Sequence, residues 1–438
     1  MFKTLKNAWG IPELKKKLLF TLLIIVLYRL GANIPVPYVD PNIFEQTSAQ
    51  FAGSILYFLN MLSGEALAKA TLFALGVSPY ITSSIVMQLL TIAIPALERL
   101  SKDGEEGKKK ITAITRMVTV ALALITSIGY AGYLDVNGFL TIQGGAKFFH
   151  YMVIVACYCA GAALVMWLAE KINESGIGNG ISMILFANII AGAWSTILSI
   201  WETAAYGTFH IAIRIVLAVF VVLMFLGMMI VIVRMSDAER RIPVQYAKRV
   251  VGRKMYGGQN TNLPLKVNMS GVMPIIFANS IVAIPATITS FMSNQDNWFV
   301  KFVNNWFNYA TWPYVIVFLV LLIAFAYFYV AISFNPVEVA NNIKNNGGAI
   351  PGIRSGRPTI EFVKKVLNRI TLVGALLVAL IAVFPMMLNI IAGYFGSTAF
   401  LSLAFSGSSM MIVVGVALET VRELEAQMSL RNYKGFLD

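Results

Sequence analysis

Apolar residues along the chain fall into ten long runs separated by polar connections. The runs are Leu18 to Ile34, Leu75 to Ile94, Ile114 to Leu134, Phe148 to Leu168, Ile181 to Ile200, Ile211 to Ile232, Met269 to Phe291, Tyr314 to Phe334, Val366 to Leu388 and Leu401 to Val421. Each is near the ~20 residues that a helix needs to cross a hydrocarbon core, so the pattern predicts ten transmembrane helices. The stretch from Ser63 to Gln88 changes character midway. Gly64 to Thr71 is helix-prone, yet Glu65 and Lys69 make it too polar for lipid, and about ten residues of helix reach only ~15 Å. It predicts a half-inserted helix that does not span, leading into a spanning one with Pro79 one turn in. Non-spanning helix at membrane depth is tolerated only where protein or water surrounds it, which implies an aqueous vestibule. The same residues also fit an interfacial helix on the outer surface.

Charge orients this pattern. Lys3, Lys6, Lys15 to Lys17, Arg99, Lys102, Lys108 to Lys110, Arg240, Arg241, Lys248, Arg249, Arg253, Lys254, Lys344, Arg354, Arg357, Lys364, Lys365, Arg422, Arg431 and Lys434 fall on one set of alternate connections. The other set holds only Lys69, Lys147, Arg214 and Lys301, so the positive-inside rule places both termini in the cytoplasm. Trp201, Trp298, Trp306 and Trp312 cluster at the outer ends, as interfacial anchors do. The lysine-led first run resembles a signal peptide but lacks an A-x-A-like cleavage site and reads as a retained span. Two sets of five spans, residues 1–205 and 206–438, enter the membrane with opposite orientation, which is the arithmetic of an inverted repeat. Pro79 and Pro274 are early in the second and seventh spans. The connections Arg234 to Val267 and Asn335 to Lys365 are long enough to be functional loops.

Composition agrees: 58% hydrophobic and 13% charged residues exclude a soluble domain, and the net charge of +13 is explained by orientation. Cys157 and Cys159, two apart on one helix, point to different sides and form neither a disulfide nor a metal site. Catalysis has little support. His150 and His210 are the only histidines, no H-E-x-x-H motif occurs, and Gly104 to Lys110 lacks phosphate-loop spacing. No catalytic residue, metal or cofactor is expected, and the energy for transport must come from a partner or the membrane potential.

Particular motifs sharpen this reading. RRIPVQYAKRVVGRKMYGGQNTNLPLKVNMSGVMP (Arg240 to Pro274), PGIRSGRPT (Pro351 to Thr359), YRLGANIPVP (Tyr28 to Pro37), GIGNGIS (Gly176 to Ser182) and the Ser63 to Gln88 stretch together resemble the SecY/Sec61-alpha family of protein-translocase channels. The resemblance runs along essentially the whole chain, with Ser355 where the family usually has proline. It implies an all-α integral membrane fold of ten helices in two inverted halves, with a plug helix at about residues 64–73. It further implies a waist of Val77, Ile81, Leu185, Ile189, Ile276 and Ile412; on the residues alone, these read as ordinary helix packing. The plug would comprise Gly64, Glu65, Ala66, Leu67, Lys69, Thr71 and Phe73. A lateral gate between the second-third and seventh-eighth spans would use Ser84, Gln88, Asn279 and Ser280, polar groups that could equally bond to their own backbones.

Arg240, Arg241, Lys248, Arg249, Arg253, Lys254 and Arg354 would dock the ribosome and the SecA ATPase, although alone they read as topology determinants. The other implied partners are SecE and SecG in a heterotrimer, signal peptides, unfolded polypeptides and lipid, in a bacterial cytoplasmic membrane. The competing function is a secondary transporter of a small solute, which shares inverted repeats. A transporter normally carries ionisable groups at mid-membrane, whereas here Arg29 is the clear charge within a span, near its outer end.

Overall fold

The computed structural model describes residues 2–40, 55–141, 147–192, 211–246, 249–251, 254–256, 260–290, 297–307, 311–394 and 406–434. Its first half contains helices α1 (Phe2–Trp9), α2 (Pro12–Gly31), α3 (Ile55–Ser63), α4 (Ser78–Ala93), α5 (Pro95–Lys102), α6 (Gly104–Val136), α7 (Lys147–Ser175) and α8 (Gly180–Gly192). The second half begins with α9 (Ile211–Asp237) and strands β1 (Glu239–Tyr246), β2 (Arg249–Val251), β3 (Lys254–Tyr256) and β4 (Asn260–Lys266). It continues through α10 (Met273–Ser290), α11 (Trp298–Trp306), α12 (Trp312–Ser333), α13 (Pro336–Asn345), β5 (Gly348–Ala349), α14 (Arg357–Tyr394) and α15 (Ser406–Lys434). A helix overlaps each apolar run. Among the described residues, Gly104–Val136, Lys147–Ser175, Trp312–Asn345 and Arg357–Leu388 are long and apolar enough to cross a membrane individually.

Packing separates two faces. On the basic face, α1 lies against α15, with Thr4 Oγ1 donating to Glu425 at 3.0 Å and Lys17 to Gln427 at 3.2 Å. Ala8, Leu14, Ile177 and Leu424 form a small core there, so the two ends of the chain and the α7–α8 turn lie together. Arg422 joins α15 to the end of α9 through the Ser236 carbonyl and the Asp237 carboxylate, each at 2.7 Å. At the far face, isolated bridges pair Pro35 with Thr71 and Val39 with Leu140, and Lys147 meets Asp135 at 2.9 Å.

The basic connections are not wholly helical, which corrects the all-α expectation. β1 pairs antiparallel with β4 from Glu239↔Lys266 to Gln245↔Asn260, and β5 adds to its other edge. The cause is period-two patterning: Ile242 and Val244 point inward while Arg241, Pro243 and Gln245 face out. Their inner face packs on Leu265, Ile343, Ile350 and Val363, uniting the hairpin, α13 and the first turns of α14 in one body. At ~1.5 Å per residue, the 38 residues of α14 exceed the hydrocarbon thickness and support this body from below.

Two further expectations change. Pro79 is not one turn into a helix that starts at Leu75; it occupies the first turn of α4, which starts at Ser78, where its missing N–H costs nothing. Pro274 is likewise the second residue of α10. The extended backbone of Ile94 before Pro95 then turns α5 away from α4 by 101°.

Candidate functional site

The six aliphatic side chains singled out from the sequence all belong to the main apolar core. Val77 ends the segment before α4, Ile81 follows within it, Leu185 and Ile189 come from α8, Ile276 from α10 and Ile412 from α15. All six are buried in one apolar cluster, with Ile412 fully enclosed. Spacings of four residues put Val77 beside Ile81 and Leu185 beside Ile189 on their helices. Leu62 at the end of α3 and Ala66 and Phe73 after it belong to the same core, so the segment leading into α4 is buried with these side chains.

That segment is not the helix expected over about residues 64–73. The helix lies earlier, as α3, and residues 64–70 follow as turns. The physical reason is backbone sign: Gly64 and Glu65 have φ of +66° and +70°, and two successive left-handed residues end a right-handed helix. Asn60 stabilises the break by accepting from Glu65 N at 2.9 Å and, through its side chain, from Ala68 N at 2.7 Å. Glu65 and Lys69 pair at 3.5 Å on the partly exposed side.

Four side chains from four helices hold this segment and the end of α3 by their carbonyls. Arg29 of α2 donates to Gly64 O at 3.2 Å, and Asn188 of α8 to Leu62 O at 2.6 Å. Tyr130 of α6 donates to Leu67 O at 2.7 Å and Tyr158 of α7 to Ala70 O at 3.3 Å. Tyr28 stacks on Phe73 with ring centroids 5.5 Å apart, an approach possible only because Gly31 has no Cβ.

A cavity of about 260 Å³ lies between α4 and α6 on one side and α10 on the other. Its walls are mostly apolar, including Pro79, Ile81, Leu122, Ile125 and Ile284, with Thr82, Tyr130, Ser280 and Thr287 as polar points. Three of the polar residues expected at this seam, Ser84, Gln88 and Ser280, bond locally. Gln88 donates to Ser84 on the same helix at 3.4 Å, and Ser280 to Ile276 O at 2.8 Å. Asn279 is buried, its Nδ2 without a hydrogen-bond partner among the described residues. Local bonding wins because a helical serine reaches the carbonyl one turn back at no cost in helix separation. Cross-helix polar contacts on the α4 and α6 side of the seam join Ser83 to Thr119 at 2.5 Å and Arg116 to Glu170 at 2.8 Å.

On the basic body, Arg240 and Arg241 are exposed on β1, and Arg241 pairs with Glu239 at 2.6 Å. Arg249 and Lys254 are on β2 and β3, while Lys248 and Arg253 lie outside the described residues. Arg354 projects from the turn between Ile350 and α14 and forms no ion pair among the described residues. Positive φ at Gly352 and Gly356 sets this turn, while Ile350 and Ile353 root it in the body's core. Trp298, Trp306 and Trp312 are exposed beside α11 and α12; Trp201 lies outside the described residues.

The model of the family described as SecY matches residues 71–421. The chain belongs to the SecY family. Along its full length this SecY-family chain is 44% identical to the protein translocase subunit SecY of Streptomyces coelicolor, covering 100% of each. It is 40% identical to that of Thermus thermophilus, over 100% of this chain and 98% of the relative. The fold is similar to "The structure of a protein conducting channel", with TM-score 0.62, 17% identity and 96% of each chain covered. It is similar as well to the structure reported under "The plug domain of the SecY protein stablizes the closed state of the translocation channel and maintains a membrane seal" (TM-score 0.59, 18% identity, 96% of each chain). Sec61 in a canine ribosome-channel complex scores 0.58 at 14% identity, again over 96% of each chain.

Within this SecY-family fold, sequence reasoning missed Asn188, Tyr130 and Tyr158, and it noticed Arg29 only as an isolated charge. The available signal was a polar residue in an apolar run, as at Asn188 within Ile181 to Ile200.

Proposed function

We propose that this chain is the protein-conducting subunit of a Sec translocase, passing unfolded polypeptide through the six-residue aliphatic waist and releasing apolar segments through the α4/α6–α10 seam. The observation that carries this is a turn segment buried in the same core as aliphatic side chains of four helices and held by its carbonyls. An apolar constriction excludes ions by dewetting, and flexible aliphatic groups deform around many sequences. Residues 64–73 act as the plug. Their turns replace the expected helix without changing this role, because occupancy of the space beneath the waist is what seals it. The seam suits opening into lipid because its walls are apolar, and hydrocarbon tails replace such contacts at little cost.

In this reading the chain has ten spans in two inverted halves with both termini cytoplasmic; the joint placement of α1, α15 and the α7–α8 turn supports an even number of crossings. The basic body of hairpin, α13 and the Arg354 turn docks SecA and the ribosome, and SecE and SecG complete the heterotrimer in a bacterial cytoplasmic membrane. Nothing favours a solute transporter.

The test is made at the seam. Thr82 and Ser280 line the same cavity from opposite sides, whereas Ser84 does not line it. With both replaced by cysteine and joined by a short bismaleimide, preprotein translocation in reconstituted vesicles falls to near background, while either single cysteine leaves it active. Efficient crosslinking with translocation at the full rate would refute a gate here.

A further inference from the structure

A polar clasp joins the first and fifth spans to the start of the plug. The guanidinium of Arg29 divides its donors: Nη1 reaches Gly64 O at 3.2 Å, while Nη2 reaches Ala187 O at 2.8 Å and Asn188 O at 3.3 Å. Asn188, wholly buried, uses its amide Nδ2 on both the Tyr28 hydroxyl at 2.9 Å and Leu62 O at 2.6 Å. Its Oδ1 has no partner among the described residues. The plug segment is shaped to fit. A Cβ on Gly64 would lie 2.7 Å from Arg29 Nη1 and 2.8 Å from Asn188 Oδ1, and the φ of +66° independently favours glycine.

We propose that Arg29 and Asn188 are positioning residues that set the threshold for signal-dependent opening: they latch the Leu62 and Gly64 carbonyls, and a substrate must break this latch before the plug can leave. The proposal rests on the reading of residues 64–73 as the plug. Three features support a latch over general packing. The bonds run from side chains of two spans to the main chain of the element that must move, at Gly64, and of the last turn of α3 that leads into it, at Leu62. They are charge-assisted on the Arg29 side, and so among the stronger hydrogen bonds. One planar group bridges two elements, which a lysine ammonium, a point charge, does not reproduce.

The two readings are separated by one set of vesicles. Leu67, buried in the plug segment, is replaced by cysteine, with Cys157→Ala and Cys159→Ala to clear the background. A charged, membrane-impermeant maleimide supplied at the far side reports exposure of position 67, first in the resting channel and then with an arrested preprotein inside. Arg29→Lys is expected to raise the resting labelling rate about tenfold, the factor that accompanies loss of one charge-assisted hydrogen bond. Translocation of a preprotein with a defective signal rises by a similar factor. Gly64→Ala attacks the same contact from the plug side and gives the same two changes, so the test stands if either variant assembles. Native-rate resting labelling in both variants, with strong labelling in the engaged channel, overturns the latch and leaves the plug intact. Lower yield or thermal stability without faster labelling also overturns it, since that is the mark of a purely structural contact. Absence of labelling even in the engaged channel refutes the plug reading itself.

Discussion

Ile412→Asn makes the resting channel leak ions and lets preproteins with defective signals pass. Ile412 is fully enclosed in the apolar core that holds the proposed waist, and an asparagine there brings an amide into that buried site. Leaving such a group dry costs ~1–3 kcal/mol, and a water molecule relieves the cost by entering, which ends dewetting of a short constriction. Since ~1.4 kcal/mol is a factor of ten, resting conductance should rise at least about tenfold in single-channel recordings. Export of signal-defective substrate should rise in parallel. Ile412→Val serves as the control: it removes one methylene, costs ~0.5–1.5 kcal/mol in packing and keeps the channel tight. Unchanged conductance and unchanged signal dependence in the asparagine variant would remove Ile412 from the waist.

The second large effect is at Arg354. Its turn is rooted by Ile350 and Ile353, so the exposed guanidinium is presented from a fixed base. A planar fork pairs with a carboxylate at two points, and a lysine keeps the charge but loses that geometry. Arg354→Glu is therefore expected to reduce SecA-driven translocation more than tenfold, because like charges across an interface cost several kcal/mol. Arg354→Lys should retain an intermediate rate, with resting ion tightness unchanged in both. Vesicles with purified motor, ATP and a model preprotein decide the matter. Full activity with lysine and little loss with glutamate would reduce Arg354 to one positive charge among many on that face.

The long-period features were legible in the sequence because they follow from one-dimensional patterns. Apolar runs mark helices, alternate basic connections mark one face, and the glycines around Arg354 mark a turn, which Gly352 and Gly356 form with positive φ. The proposed waist rests on resemblance alone, since in the structure Val77, Leu185 and Ile276 are buried aliphatic side chains among many others of the same core. Three features escaped for identifiable reasons. The plug segment reads as helix-prone, yet the left-handed pair Gly64 and Glu65 is fixed by tertiary contacts to Asn60, Arg29 and Asn188, which local propensity does not register. The strand alternation at Ile242 and Val244 is short and was masked by the charges around it. Ser84 and Ser280 bond within their own turns, a choice that depends on helix separation and is invisible in residue identity.

The way the plug segment is gripped bears on how freely its sequence can vary. Arg29, Asn188, Tyr130 and Tyr158 all contact carbonyl oxygens, a group that every residue type carries. The socket thus reads main chain and size, and is blind to most side-chain chemistry. Ala66 and Ala70 are confined by volume because both are buried, and Gly64 and Glu65 by their backbone sign, whereas Lys69 is exposed and meets Glu65 in a partly exposed ion pair. Informational constraint therefore falls on the walls more than on the object they hold, so an outward position such as Lys69 is free to drift while the four donors are not.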